Sequence, residues 1–308
     1  MQTFALQALT LASNSLQKFE TVRGQTMTTL FTDLNSYAEW RNGIPATKTV
    51  GFVPTMGALH TGHLSLIRAA SAQCDVVVVS IYVNALQFSS AGDYQRYPRT
   101  QTEDVNLCSA ANVNVVFAPL RTDLFNEEVV QLVQPSSAAD NFEGSDRPGH
   151  FAGVVTVVDR LFSAVRPTHA YFGIKDYQQV AVISDMSSQL HPDIAIAVCE
   201  TEREHDGLAM SSRNRFLSEA ARASAALLPT ALTAAITHWK NGTTQAGALI
   251  DVAKATIAQD PTIDIQYISI VRAGSMDQVQ TVGSTDVIIA AVVIDGVRLI
   301  DNMSFTHA

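Results

Sequence analysis

The 308-residue sequence predicts an α/β fold, a parallel sheet flanked by helices and followed by a smaller α+β unit. Three observations predict it. First, the apolar run Val50-Gly51-Phe52-Val53 leads through a turn with two glycines into a helix start, Leu64 to Ala70. The β-branched run Val76 to Val83 follows, as expected of a strand buried on both faces. Strand, helix and strand in that order make a unit with a right-handed crossover. Second, Ala170-Tyr171-Phe172 repeats the strand-to-helix junction, running through Gly173-Ile174-Lys175-Asp176 into a helix from Tyr177 to Leu190. Third, the last third of the chain changes to helices and then strands, and closes on an Asp295-Gly296 hairpin signal.

The remaining elements follow in order. Residues 1–26 are polar with scattered Leu and Phe and no organised pattern. Their first cation is Lys18, so the positive start of a secretory signal is missing. Met27 stands just before organised sequence and is a candidate alternative start. Leu30, Leu34, Tyr37 and Trp40 recur at helical intervals, predicting a helix over Thr28 to Arg41. Leu64, Ile67, Ala70 and Cys74 mark one buried helix face. A helix through Cys108, a strand from Val113 to Phe117 and a short strand from Val129 to Val133 come next.

The strongly periodic segment Val154, Val158, Leu161, Phe162 and Val165 predicts a helix ended by Pro167. Ile194 to Val198 is the last parallel strand. Ser218 caps an Ala-rich helix reaching Trp239, and a second helix spans Thr244 to Ala258. Strands Ile263–Val271, Val287–Ile294 and Val297–Ile300 complete the chain.

Composition narrows the function. A net charge of −9 excludes broad nucleic-acid binding, which needs a basic surface, yet leaves room for a nucleotide in a locally basic pocket. Cys74, Cys108 and Cys199 are far apart, odd in number and without CxxC spacing, which points to a reducing, cytoplasmic compartment. The longest apolar stretch, Val287 to Ile294, is too short to span a bilayer.

The chemistry gathers at strand ends. Pro54-Thr55-Met56-Gly57-Ala58-Leu59-His60-Thr61-Gly62-His63 places two histidines at a turn-to-helix junction, on one face. Unpaired amides and the dipole at a helix start suit a phosphate. From these residues alone, metal ligation, a plain polar loop and phosphate contact all stay open. Asn84 and Gln87 follow the next strand, where ligands sit in open α/β sheets; a turn cap is an equal reading for Asn84. Glu103 and Asp104 occupy a first helical turn, where complementing the dipole is the simplest role. Lys175 is a natural phosphate ligand, with Gln178 or Gln179 beside it. Ser211, Ser212 and Arg213 supply two hydroxyls and a planar cation, a good set for phosphate oxygens, although taken alone this segment reads first as a plain solvated loop.

Taken together, these segments resemble the pantoate–β-alanine ligase (pantothenate synthetase) family of the HIGH-motif nucleotidyltransferase superfamily. The resemblance rests on PTMGALHTGH at 54–63, SIYVNALQF at 80–88, YPRT at 97–100, RPGHFAGVVTVVDRLF at 147–162, FGIKDYQQ at 172–179 and DGLAMSSRNRFLS at 206–218. It runs from about residue 28 to the C-terminus. It implies a Rossmann-like ATP- and pantoate-binding domain over 28–201 and an α+β lid domain over 202–308, with 1–27 as an extension that has no counterpart. The implied reaction joins pantoate to β-alanine with ATP and Mg²⁺ through a pantoyl adenylate, releasing AMP and pyrophosphate, in a homodimer with no membrane or nucleic-acid partner.

Position by position, the resemblance implies that Met56 to His63 form the ATP-binding turn, with His63 as proton donor and His60 its partner at the phosphates. Gly173, Ile174, Lys175 and Asp176, and Met210, Ser211, Ser212 and Arg213, match two further ATP-contacting segments, with Glu202 beside the adenine. Lys175 and Arg213 join the histidines as catalytic groups. Gln87 and Gln179 match the glutamines that hold pantoate, in a pocket shared with Asn84, Pro54 and Met56. Asp104 and Glu103 fall where relatives have acidic residues near the metal. Departures from the family pattern are Ala85 for a proline, Ile174 for a polar residue, and Glu200 and Glu202 for a proline and an apolar residue. The added charge at Glu202 bears on nucleotide affinity rather than reaction type. Two other readings are a nucleotidyltransferase with a different acceptor, which the glutamines and the RPGHF segment disfavour, and a silent nucleotide-binding homologue, which the full set of phosphate ligands disfavours.

Overall fold

A computed structural model describes residues 16–19, 28–125 and 130–305. Strands β1 (Leu16–Phe19) and β2 (Thr28–Phe31) precede helix α1 (Leu34–Asn42), and β3 (Val50–Thr55), α2 (Thr61–Gln73) and β4 (Val76–Ile81) follow. Next come α3 (Ala91–Arg96), α4 (Gln101–Ala110), β5 (Val115–Phe117), α5 (Arg121–Leu124), α6 (Glu143–Asp146) and α7 (His150–Val165). Strand β6 (His169–Gly173), helix α8 (Tyr177–Leu190) and strand β7 (Ala195–Cys199) end the parallel part. Helices α9 (Glu219–Ala225), α10 (Leu227–Lys240) and α11 (Ala246–Ile257) lead to β8 (Asp264–Arg272), β9 (Asp286–Ile294) and β10 (Val297–Ser304).

The first sheet has the order β1-β2-β5-β4-β3-β6-β7. All its pairs are parallel except β1 with β2. From β3 the chain crosses to β4 on one side, whereas β6 pairs on the other. The strand order therefore reverses beside the ends of β3 and β6, the place where open α/β sheets take ligands. The second sheet is antiparallel, β10-β9-β8, and packs against α9 to α11. Thus the predicted α/β class, with its antiparallel C-terminal sheet, is the observed one.

Helix α7 shows how sequence positions the site. Its apolar residues bury Val154, Val155, Val158, Leu161, Phe162 and Val165 against the sheet. A Cβ on Gly153 would lie 2.4 Å from the carbonyl oxygen of Leu86, so α7 meets the segment after β4 backbone to backbone. At the far end Arg41 donates from Nε to the Val165 carbonyl at 3.1 Å and from Nη2 to the Arg166 carbonyl at 2.8 Å. A cation there complements the helix dipole as well as the orphan carbonyls.

Four expectations change. Residues 28–31 form β2 rather than the start of a helix, because Thr29 to Phe31 pair with β5 and Leu30 and Phe31 are buried between strands and helices. Helix α1 begins only at Leu34, where the Asp33 carboxylate accepts the Ser36 N–H at 2.8 Å. Residues 130–133 form no strand; the Val133 N–H donates to the Thr156 hydroxyl of α7 at 2.8 Å, and Val129 lies outside the described residues. The Ala-rich helix splits at Ala226, since Pro229 has no N–H for the Ala225 carbonyl and its ring would strike it. Within the N-terminal extension, Leu16–Phe19 pairs with Thr28–Phe31.

Candidate active site

The turn after β3 is built by its own side chains. His60 caps α2: its Nδ1 accepts the Gly62 N–H at 3.1 Å, and His63 Nδ1 accepts the His60 backbone N–H at 3.3 Å. Both imidazoles are therefore left with a proton on Nε2, and their ring centres lie 4.1 Å apart. Burial, then the charge of Lys175, lowers the His60 pKa. Burial and the neighbouring His60 hold His63 down to about 3. These are neutral hydrogen-bond donors at physiological pH.

Gly57 (φ +78°) and Ala58 (φ +51°) carry the chain through the left-handed region just before the histidines. The buried Asp104 carboxylate accepts from Ala58 N–H at 3.0 Å, Leu59 N–H at 2.8 Å and the Thr100 hydroxyl at 3.1 Å. It lies under the turn instead of facing the cleft, and Glu103 is exposed on α4. Among the described residues, no three His, Cys, Asp or Glu side chains group as metal ligands.

The cleft, about 270 Å³, lies over this turn and brings together residues from four stretches. Pro54, Met56, His60 and His63 line one side, and Asn84 and Gln87 another. Lys175, Asp176 and Gln179 come from the junction after β6; Glu202, Met210, Ser211, Ser212 and Arg213 close it from the segment beyond β7. The predicted set thus converges, with exceptions. Gly57, Ala58 and Leu59 sit beneath the wall. The Thr61 hydroxyl contacts Met210 Sδ, and Ile174 lines a separate groove beside α10. Gly173 lines the wall where its chain leaves β6.

Polar partners sort the remaining alternatives. Asn84 is spent: its Nδ2 donates to the Gly153 carbonyl and to Gln87 Oε1, each at 3.0 Å, and its Oδ1 accepts the Leu86 N–H. The turn-cap reading holds for it, and Gln87 is what it positions. Gln178 is buried and ties the 138–143 loop to α8 through Ala138, Asn141 and Glu143, leaving Gln179 to face the cleft. Glu202 pairs with Arg68 at 3.4 Å, so its extra charge has a cation of its own. Ser212 Oγ donates to the Ala58 carbonyl at 3.4 Å, joining the segment after β7 to the histidine turn.

The sequence reading missed the groups that support these residues. Arg147 Nη2 and His150 Nδ1 both donate to the Gln87 carbonyl, at 3.2 and 2.9 Å. Asn302 of β10 donates to the carbonyls of Ile174 and Lys175, both at 2.9 Å, and so holds the lysine turn. Arg298 pairs with Glu143 at 2.7 Å, and the Tyr267 hydroxyl donates to the same carboxylate at 2.9 Å. The cleft extends past Tyr97, Arg147 and His150 into a hollow of about 520 Å³ walled by Arg298 and Asn302. Only Arg147 and His150 had a signal, the RPGH stretch; β8 and β10 gave none.

Residues 28–304 match the family model described as pantoate-beta-alanine ligase. The chain belongs to that family. A pantothenate synthetase from Acidothermus cellulolyticus is 44% identical over 85% of this chain and 87% of its own length. The crystal structure of pantothenate synthetase from Thermus thermophilus aligns with a TM-score of 0.85 at 36% identity, covering 90% of this chain and 99% of that one. The pantoate-beta-alanine ligase of Francisella tularensis, solved with beta-gamma ATP and beta-alanine, aligns at 0.73 with 33% identity over 91% and 98% of the two chains. The family fold therefore accounts for both sheets, and the ligase's histidine turn lies at the switch point of the first.

Proposed function

We propose that this ligase condenses pantoate with β-alanine at the expense of ATP, through a pantoyl adenylate, releasing AMP and pyrophosphate. The single observation that carries the reading is the convergence of His60, His63, Lys175 and Ser211 to Arg213 with Gln87 and Gln179 around one cleft. The first group is a set of phosphate donors, and the glutamines present amides that suit a hydroxy acid. Domains 28–201 and 202–308 enclose this cleft in the same reading. The same reading includes a homodimer and a cytoplasmic setting, the latter in keeping with three free cysteines.

The pantoate carboxylate attacks the α-phosphorus in line and pyrophosphate departs. Charge builds on phosphate oxygens, so positioned donors supply most of the acceleration. The Nε2–H groups of His60 and His63 donate there, and Lys175 and Arg213 supply fixed positive charge. Asn84 holds Gln87 by its side chain, while Arg147 and His150 hold it by its carbonyl; the acid is thereby aimed before reaction. In the second half-reaction the neutral amine of β-alanine attacks the acyl carbon, AMP leaves, and the proton lost by the amine passes to solvent or to the departing phosphate. Mg²⁺ would be carried by the triphosphate, a mode that asks for few protein ligands, with Lys175 and Arg213 beside it on the phosphates. Bound so, it would neutralise phosphate charge.

Pantoate-dependent exchange of labelled pyrophosphate into ATP, without β-alanine, tests the reading. Exchange is expected. Its absence from well-folded protein, or exchange driven equally by unrelated acids, overturns it.

A further inference from the structure

Asp104 stands at the position where the family resemblance implies a metal ligand, and its surroundings do not fit that role. The residue is 1% exposed. Its Oδ2 accepts from the Ala58 N–H and the Thr100 hydroxyl, and its Oδ1 accepts from the Leu59 N–H. An ionised carboxylate has about four lone-pair sites, and three are taken. Mg²⁺ keeps several waters in an octahedral shell, which a carboxylate sealed beneath a turn has no room to meet. A cation would have to enter on the single remaining lone pair of Oδ1 beneath the turn or displace an amide, and an unpaired buried amide is costly.

We propose that Asp104 is a positioning residue that clasps the histidine turn, not a ligand of the catalytic metal. The clasp acts where the backbone most needs it. Gly57 and Ala58 hold positive φ angles, and for alanine that conformation is unfavourable unless the surroundings enforce it. The carboxylate grips the N–H groups of Ala58 and Leu59, immediately before His60. A Cβ at Gly57 would come within 2.8 Å of Asp104 Oδ2, so glycine there is what lets the acid approach. With its N–H held, Ala58 presents its carbonyl to Ser212 Oγ at 3.4 Å. Asp104 thus fixes both the direction of the histidines and the docking point of the Ser211–Arg213 segment. The inference rests on the proposed ligase reaction only for its rate measurement.

The test is Asp104→Asn, whose amide nitrogen would face a backbone N–H it cannot accept from. In metal-free buffer the variant should melt about 4 °C or more below the parent, as loss of a charged hydrogen bond implies. Its pyrophosphate exchange should fall more than ~10-fold, while the Mg²⁺ concentration for half-maximal rate stays within ~2-fold of the parent. A Mg²⁺ requirement raised tenfold or more, with an unchanged metal-free melting temperature, overturns the proposal. Should the variant not fold, the parent protein decides. Mn²⁺ added without nucleotide should leave the Ala58 and Leu59 amide resonances unbroadened, and selective broadening of those two overturns it. If the parent shows no exchange at all, the melting and Mn²⁺ results still judge the clasp.

Discussion

His63 Nδ1 accepts the backbone N–H of His60 at 3.3 Å, so each histidine of the turn is committed through Nδ1 and offers a proton only from Nε2. Burial and the neighbouring His60 hold His63 to about 3, so in the proposed reaction it would act as a neutral donor rather than as an imidazolium acid. A glutamine places an amide N–H close to the Nε2 position. His63→Gln should therefore keep pyrophosphate exchange within about tenfold of the parent, and His63→Ala should lose more than ~100-fold. Equal losses in the two variants would show that proton transfer, not hydrogen bonding, is what His63 supplies.

The same shift sets a stability window. An imidazole that ionises near 6.5 when unfolded and near 3 when folded binds more protons in the unfolded state between those values. Stability should then be full above about pH 6.5 and fall progressively toward pH 3. His150, held to about 4 by burial and Arg147, and His60, lowered mainly by burial, act in the same direction. Thermal midpoints measured across pH 7 to 4 should decline less steeply for His63→Gln than for the parent.

Asn84→Ala removes the donor to both Gln87 Oε1 and the Gly153 carbonyl. The Gly153 carbonyl keeps its helical partner, so urea unfolding should report a loss of only about 1 kcal/mol for the buried amide hydrogen bonds. The KM for pantoate should rise while the KM for ATP changes little. Equal changes in both would place Asn84 outside the acid-binding half of the cleft.

Asn302→Ala leaves the Ile174 and Lys175 carbonyls without their donor. The lysine remains, but its turn loses its brace. The rate constant for exchange should fall about tenfold, since misplacement of a charge stabiliser costs rate before it costs binding. Asn302→Asp, which cannot donate, should be no better than alanine.

Arg298→Met should unfold more readily by about 3 kcal/mol, because it strips the strongest partner from the buried Glu143 carboxylate. Denaturant titration measures it. A paired Glu143→Gln, Arg298→Met variant should recover part of the loss.

The first sheet was legible because buried parallel strands are written as unbroken apolar runs, as Val76 to Val79 and Ala170 to Phe172 are. Thr28–Phe31 was not, since Leu30 also falls in helical step with Leu34 and Tyr37. The break at Ala226 was hidden by alanine, which favours helix on either side of it, although Pro229 marked it. Within the cleft, the residues proposed to touch a ligand stood in local motifs, and so did the braces Asn84, Arg147 and His150. The braces from β10 did not. Arg298 lies 155 residues from Glu143, and Asn302 lies 127 residues from Lys175, separations that no local spacing encodes. For Asn84 and Asp104 the plain structural readings, cap and turn support, agree better with their hydrogen bonds than direct ligand contact does.

The Asp295-Gly296 turn carries a cost of error far larger than its size. Both residues hold positive φ, +52° and +73°, and they join β9 to β10 with Val297 opposite Ile294. That pairing puts Arg298 opposite Val293 and Asn302 opposite Ile289, four residues apart and so on one face of the strand. A slip of a single residue would turn both side chains to the other face. The hairpin tip is therefore the ruler against which the two braces of the cleft are measured, and a shift of register set there would undo both while leaving every residue that lines the cleft in the chain.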